Sequence, residues 1–311
     1  MIDPQAQALM DTLAQQGVAS VSQVGPELAR QAYLVRKSIS QPDPVEVGHV
    51  QDFAVPVKDA DIRVRLYKPS TCIESPCGLT VYFHGGGFVI GSIDTHDTLC
   101  RQLCEYSGHA VLSVDYRLAP EHPFPAAFDD SLEATRWAHS NAQMLGIDPA
   151  RIAVAGDSAG GQLAAVVAMA LRDDTTVRLA FQLLIYPITD AMMSHPSIRH
   201  NGTGYMLTEA TLQAYYSHYW PDPSSRQDWR ASPLLAKDLS GLPAAFVLTA
   251  GFDPLHDEGL AYADRLSRSG VPTQYLCFER QIHGFLPMGR VIDEANLAVG
   301  VCALALKNAL N

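Results

Sequence analysis

The chain has 311 residues, of which 47% are hydrophobic and 18% charged, with a formal net charge of -11 at pH 7. That is enough chain for a sizeable core, in the composition of an ordinary globular protein and not a disordered or fibrous one. The negative balance speaks against a nucleic-acid groove and against an anionic membrane surface.

In chain order, Asp3-Pro4 supplies a cap and an N1 proline to a first helix, with Ala6, Leu9, Met10 and Leu13 at helical spacing up to Gly17. A second helix is expected from Pro26, with Leu28, Ala32, Val35 and Ile39 as its apolar face. From Val47 the period changes. Phe53–Val57 and the alternating Ile62–Leu66 read as two strands joined by the polar turn 58–61. Short apolar runs then alternate with helical stretches. Strands are expected at Leu79–Phe83, Ala110–Tyr116, Ile152–Ala155, Phe181–Tyr186, Ala244–Thr249 and Thr273–Phe278, and helices near 96–107, 128–143, 159–172, 258–269 and 291–309. Apolar strands separated by helices predict an α/β architecture, a mostly parallel sheet covered on both faces. Residues 188–235 break the rhythm with Met, His, Pro and Ser and one amphipathic helix, Leu207 to Trp220. This stretch reads as an insertion that joins N-terminal helices 1–45 as a lid, leaving 46–187 and 236–311 as the two parts of one core. The strand Thr273–Phe278 is the last of the series, and a sheet edge there is open to pairing in a homodimer.

Met1 to Gln16 lacks the basic, apolar, small-residue layout of a signal peptide, and no run approaches 18 apolar residues. A soluble, cytoplasmic chain without membrane attachment is the expectation. The six cysteines form no C-x-x-C pair, so free core thiols are expected, with no metal site.

Ser158 lies in Gly156-Asp157-Ser158-Ala159-Gly160, straight after an apolar strand and straight before a helix. In that context G-x-S-x-G forms a nucleophile elbow. The sharp reversal crowds the positions two before and two after the serine, so both are glycine, and the helix N-terminus offers free N–H groups to developing negative charge. A serine needs a base and the base needs an orienting acid, and the chain order for this elbow is Ser, acid, His. Asp253 follows the strand Phe246–Gly251, and His283 follows Tyr275–Phe278. Asp257 and Glu258 are the alternative acids, but they stand where a helix begins and read as N-terminal capping residues. Asp157 reads as a structural hydrogen-bonding neighbour of the serine.

His84-Gly85-Gly86-Gly87-Phe88 directly follows the strand Val81–Phe83. Ile90 stands where a dinucleotide fingerprint needs glycine, so no nucleotide cofactor is read here. A glycine loop facing a nucleophilic serine instead brings backbone N–H groups to a tetrahedral oxyanion.

These motifs, with Asp115–Glu121, Pro123–Ala127 and Asp253–Gly259, resemble the hormone-sensitive-lipase-like (bacterial family IV) carboxylesterases of the α/β-hydrolase superfamily, from Val47 to the end of the chain. The resemblance implies a mostly parallel eight-stranded central sheet flanked by helices, a helical cap and hydrolysis of short-chain carboxylic esters without a cofactor. Carried over, it makes Ser158 the nucleophile, His283 the base and Asp253 its acid, with Gly86, Gly87 and Ala159 as oxyanion donors. His84 and Gly85 then brace the glycine loop. His256 departs from the arginine common at that position. Phe88, Leu255 and Phe285 beside the motifs, and Tyr215 on the cap helix, are the candidate substrate contacts. Leu212, Tyr215, Tyr216 and Tyr219 share a helical face that either lines an acyl pocket or simply packs. An amidase or peptidase on the same triad is the rival activity. The plant gibberellin receptors, which resemble the family but lack the catalytic histidine, represent a binding-only alternative.

Overall fold

Strands β3 (Cys77–Phe83) and β4 (Ala110–Val114) are buried along their whole length, because both faces of the sheet at its centre are covered by helices. With β1 (His49–Val57), β2 (Ala60–Lys68), β5 (Ile147–Asp157), β6 (Leu179–Ile185), β7 (Ala244–Phe252) and β8 (Thr273–Ile282) they form one sheet in the order β1-β2-β4-β3-β5-β6-β7-β8. The pairs β1–β2 and β2–β4 are antiparallel, and the remaining pairs are parallel. The edge strands β1 and β8 show exposed positions that β3 and β4 lack. The structure, a computed structural model, describes residues 1–17, 21–72 and 76–311. The loop between Cys72 and Cys77 falls largely outside these residues.

The helices are α1 (Pro4–Gln15), α2 (Val21–Val24), α3 (Pro26–Ser40), α4 (Ile93–Ser107), α5 (Ala126–Ser140), α6 (Ala142–Leu145), α7 (Ala159–Leu171), α8 (Ser197–His200), α9 (Glu209–Tyr219), α10 (His256–Arg268) and α11 (Asp293–Leu310). One apolar core joins α4, α11 and α1 to a face of the sheet, and a second joins α5, α7, α10, α3 and α9 to the other. Helix α7 starts Ala-Gly-Gly and stays buried nearly throughout, since its small residues let it lie close against β5 and β6. Among the described residues no helix is long and apolar enough to cross a membrane.

Two sequence expectations change. The expected face of α3, Leu28-Ala32-Val35-Ile39, holds only in part: Ala32 lines the cavity and Ile39 packs on the core, but Leu28 and Val35 are 54% and 53% exposed, while Ala29, Tyr33 and Ser40 are buried. The helix roofs a cavity, so the face turned inward also carries polar groups and an apolar-face rule finds only part of it. The expected lid also divides. Helix α1 docks on the α4–α11 side through Ala6, Leu9 and Leu13, and Asp3 N donates to Arg280 O at 2.9 Å. The cavity roof comes from α2, α3 and the 188–235 insertion.

The insertion is fastened to the core by side chains. Glu258 on α10 accepts from the backbone N–H groups of Thr189 and Asp190 at 2.7 and 3.1 Å. Arg265, two turns on, donates to the carbonyls of Leu234 and Ala236, and Gln162 on α7 donates to that of Arg230.

Candidate active site

Because β3, β5, β7 and β8 run parallel, their C-terminal ends lie along one edge of the sheet, the customary place for ligands in open α/β folds. His84–Phe88 leaves β3, Ser158 leaves β5, Asp253 leaves β7 and His283 leaves β8. Residues scattered over two hundred positions of sequence therefore converge.

Ser158 adopts φ 57° and ψ -117°, a sparsely populated backbone conformation costing on the order of 1–3 kcal/mol. Its surroundings enforce that conformation. A Cβ on Gly160 would overlap the Phe83 carbonyl oxygen, and one on Gly156 would overlap the Gly160 backbone, so only glycine permits so tight a turn. Ser158 N donates to Ile185 O at 2.8 Å, tying the elbow to the neighbouring strand end.

The Ser158 Oγ stands 2.9 Å from His283 Nε2, and His283 Nδ1 stands 2.7 Å from Asp253 Oδ2. Asp253 is fully buried, whereas Ser158 and His283 are each 8% exposed, so the chain of hydrogen bonds runs from the protein interior to the cavity surface. Asp253 Oδ1 accepts from Leu255 N at 2.8 Å, which fixes the carboxylate plane. The expectation that Asp257 and Glu258 cap their own helix changes. Asp257 accepts from Ser197 N at 2.8 Å and Glu258 from Thr189 and Asp190, so both hold the insertion. Burial, reinforced by the neighbouring Asp190 and Asp253 carboxylates, pushes the Glu258 carboxyl well above the usual range despite its two amide bonds.

Beside the serine, Asp157 Oδ1 accepts from Tyr82 OH at 2.7 Å and from Gly85 N at 2.9 Å, and lies 3.3 Å from His96 Nε2. Burial alone would raise this carboxyl. His96 and the Tyr82 hydroxyl outweigh it and hold the group below its ordinary value. Asp157 thus links the elbow to the glycine loop. His84 lies under that loop, its Nδ1 2.9 Å from Gly85 O and its ring stacked on Tyr116 at 4.2 Å. Burial, and then the proximity of His96, lower its pKa to about 4, so it is neutral near pH 7.

The N–H groups of Gly86 and Gly87 donate to no protein acceptor among the described residues, and Ala159, the first residue of α7, carries one of that helix's free donors. Gly87 has φ +61°, and a Cβ there would run into the Tyr215 ring. The glycine loop and helix α9 touch at that point.

Ser158, His283, Gly86 and Gly87 open on a cavity of about 110 Å³ walled by Ile90 and Ile188 and roofed by Tyr33, Leu212 and Tyr215. The proposed substrate contacts separate accordingly. Tyr215 lines the cavity. Phe88, Leu255 and Phe285 are fully buried and lie outside its lining, which corrects that expectation. Phe88 has φ +63°, which turns its ring away to stack on Tyr219 at 4.0 Å. The aromatic stripe of α9 splits in the same way, with Leu212 and Tyr215 on the cavity and Tyr216 and Tyr219 packed against Trp220. Sequence reasoning missed Tyr33, whose hydroxyl lies 3.5 Å from His96 Nε2 and so ties the cap to the Asp157 network. It also missed Arg36, one turn further along the same inward face of α3. Their spacing of three is a helical signal, but it becomes informative only when that face is known to look inward.

A serine on a strand–turn–helix elbow at the C-terminal edge of a mostly parallel eight-stranded sheet is the mark of an α/β hydrolase, and the α/β hydrolase fold family matches residues 80–287. The chain is 42% identical over 266 residues to ethyl acetate hydrolase of Pseudomonas putida, spanning 84% of this chain and 83% of that one. It is 40% identical over 314 aligned positions to carboxylesterase NlhH of Mycobacterium tuberculosis strain H37Rv, spanning 100% and 97% of the two chains. The fold superposes on ester hydrolase EH1AB1 from the metagenome of Lake Arreo with a TM-score of 0.94, at 42% identity and 99% coverage of both. The chain belongs to the hormone-sensitive-lipase-like carboxylesterases of this fold family.

Proposed function

We propose that the protein hydrolyses short-chain carboxylic esters through an acyl-enzyme on Ser158. The observation that carries this reading is the unbroken Ser158–His283–Asp253 chain, at 2.9 and 2.7 Å, beside unpaired backbone donors. Relatives named for ester hydrolysis support it.

In this mechanism Ser158 Oγ attacks the ester carbonyl carbon while His283 Nε2 takes its proton, and Asp253 holds the tautomer and steadies the imidazolium. The carbonyl oxygen becomes an oxyanion received by the N–H groups of Gly86, Gly87 and Ala159. These donors are already in place, so they need not reorganise as the charge appears. His283 then protonates the departing alkoxide. Water, deprotonated by the same nitrogen, attacks the acyl-enzyme and returns Ser158 to its starting state. Asp157 and His84 position the glycine loop. The volume of about 110 Å³ is small against the roughly 300–1,000 Å³ of typical ligand sites, which favours short acyl groups.

The test is initial rates on p-nitrophenyl esters from C2 to C12, beside Ser158→Ala and a matched anilide. Fast turnover peaking at short chains, falling roughly 10⁶-fold in the variant and negligible on the anilide, is expected. Comparable turnover of the anilide would make the enzyme an amidase. Near wild-type hydrolysis by Ser158→Ala would overturn the mechanism.

A further inference from the structure

Two arginines of α3 are treated differently by the fold. Arg30 is clamped: its Nη1 and Nη2 donate to both Glu121 carboxylate oxygens at 2.8 and 2.7 Å, and its remaining donors reach the Val89 and Ala119 carbonyls at 2.8 and 3.0 Å. Arg36, two turns later, lines the cavity that holds Ser158. Its guanidinium lies over the Tyr33 ring, 4.2 Å from the centroid, and otherwise meets, at 4.0 Å, the Met206 sulfur. No carboxylate pairs with it among the described residues. The one carboxylate in the cavity lining, Asp157, is already taken up by Tyr82, Gly85 and His96.

A guanidinium held over an aromatic ring by a cation–π contact keeps its N–H donors for other partners. Its donors form a rigid fork matched to a planar carboxylate, and a thioether uses little of it. The net charge of -11 supplies no long-range pull on an anion, so any such recognition has to be local. We propose that Arg36 is a carboxylate-recognition site in the cavity, and that the preferred substrates are esters carrying a carboxylate on their acyl or alcohol side.

This inference rests on the esterase reading for its substrate class, but its test does not depend on turnover. Binding to Ser158→Ala protein is measured calorimetrically for monomethyl glutarate, which carries the carboxylate on the acyl side, and for 3-acetoxypropanoate, which carries it on the alcohol side. Dimethyl glutarate and methyl 3-acetoxypropanoate are the neutral controls. At least one anion is expected to bind about tenfold or more tightly than its neutral control. That preference should vanish in Ser158→Ala/Arg36→Met and be weakened but not abolished in Ser158→Ala/Arg36→Lys, which keeps the charge without the fork. The pair that shows the preference identifies the side. Equal binding of anion and control in both pairs, or a preference that survives Arg36→Met, would overturn the proposal. Arg36→Lys keeps a cation on the same helix and guards against reading misfolding as lost recognition. Hydrolysis of neutral p-nitrophenyl acetate by the unmodified protein separately decides the esterase reading.

Discussion

The floor and the roof of the cavity are built on opposite terms. On the floor, the carboxylates are spoken for by other protein groups: Asp253 by His283 and Leu255, and Asp157 by Tyr82, Gly85 and His96. On the roof, Tyr215 and Leu212 offer apolar surface and Arg36 keeps donors to spare. A floor of this kind has its geometry set before substrate arrives, as a site for charge development requires. The roof is where chemistry specific to one substrate can be written without disturbing that geometry.

The sharpest way to break the comparison is on the floor. Asp253→Asn keeps the shape but stabilises the wrong imidazole tautomer, and kcat on p-nitrophenyl acetate should fall about 10⁴-fold. Circular dichroism and thermal unfolding serve to check that the fold is intact. A loss of only a few-fold would mean that His283 takes its orientation from another group.

Next comes the point where floor and roof touch. Gly87→Ala should lower kcat by roughly 10²–10³, the loss typical of a misplaced oxyanion donor, because the new methyl meets Tyr215. Adding Tyr215→Ala should restore a good part of that rate, leaving the strain of alanine at φ +61°. If the second substitution restores nothing, the defect lies in the loop backbone alone and the two regions are not in mechanical contact there.

The smallest effect concerns stability. The folded pKa of His84, about 4, lies below the ordinary 6.5. Between those values the unfolded chain binds a proton that the folded chain refuses. The contribution is therefore fully present above pH 6.5 and is lost as pH falls towards 4, by up to about 3 kcal/mol. Urea unfolding at pH 7, 5.5 and 4.5 should show the decline, and His84→Gln should flatten it. An unchanged slope in the variant would remove His84 as its source.

The floor was legible in the sequence because its constraints are local. A glycine two before and two after a serine, or three in a row after a strand, states a backbone requirement that neighbours in sequence already impose. The parallel sheet then does the assembling, since strand ends gather whatever follows them. The roof was less legible. Phe88, Leu255 and Phe285 sit beside the motifs in the chain yet turn into the core, because closeness in sequence says nothing of which way a side chain points. On α3 the cavity side is Ala29, Ala32, Tyr33, Arg36 and Ser40. No periodicity of apolar residues marks it, because it borders a cavity and not a core. Asp257 and Glu258 were assigned to their own helix, and only the fold reveals that the insertion loops back to meet them.

The glycine knot around Ser158 also bears on how the protein can change. Gly156 and Gly160 are pressed against each other and against the Phe83 backbone, while Gly85 is pressed against Asp157. The elbow and the glycine loop therefore share one set of clearances. Substitutions in the two motifs fall on neighbours in space, and their effects should not add. A library that randomises the elbow with the His84–Phe88 loop held fixed, or the reverse, explores the landscape along directions that are almost all closed. Variation that moves both together, or that is spent on the roof, is where this scaffold has room to diverge.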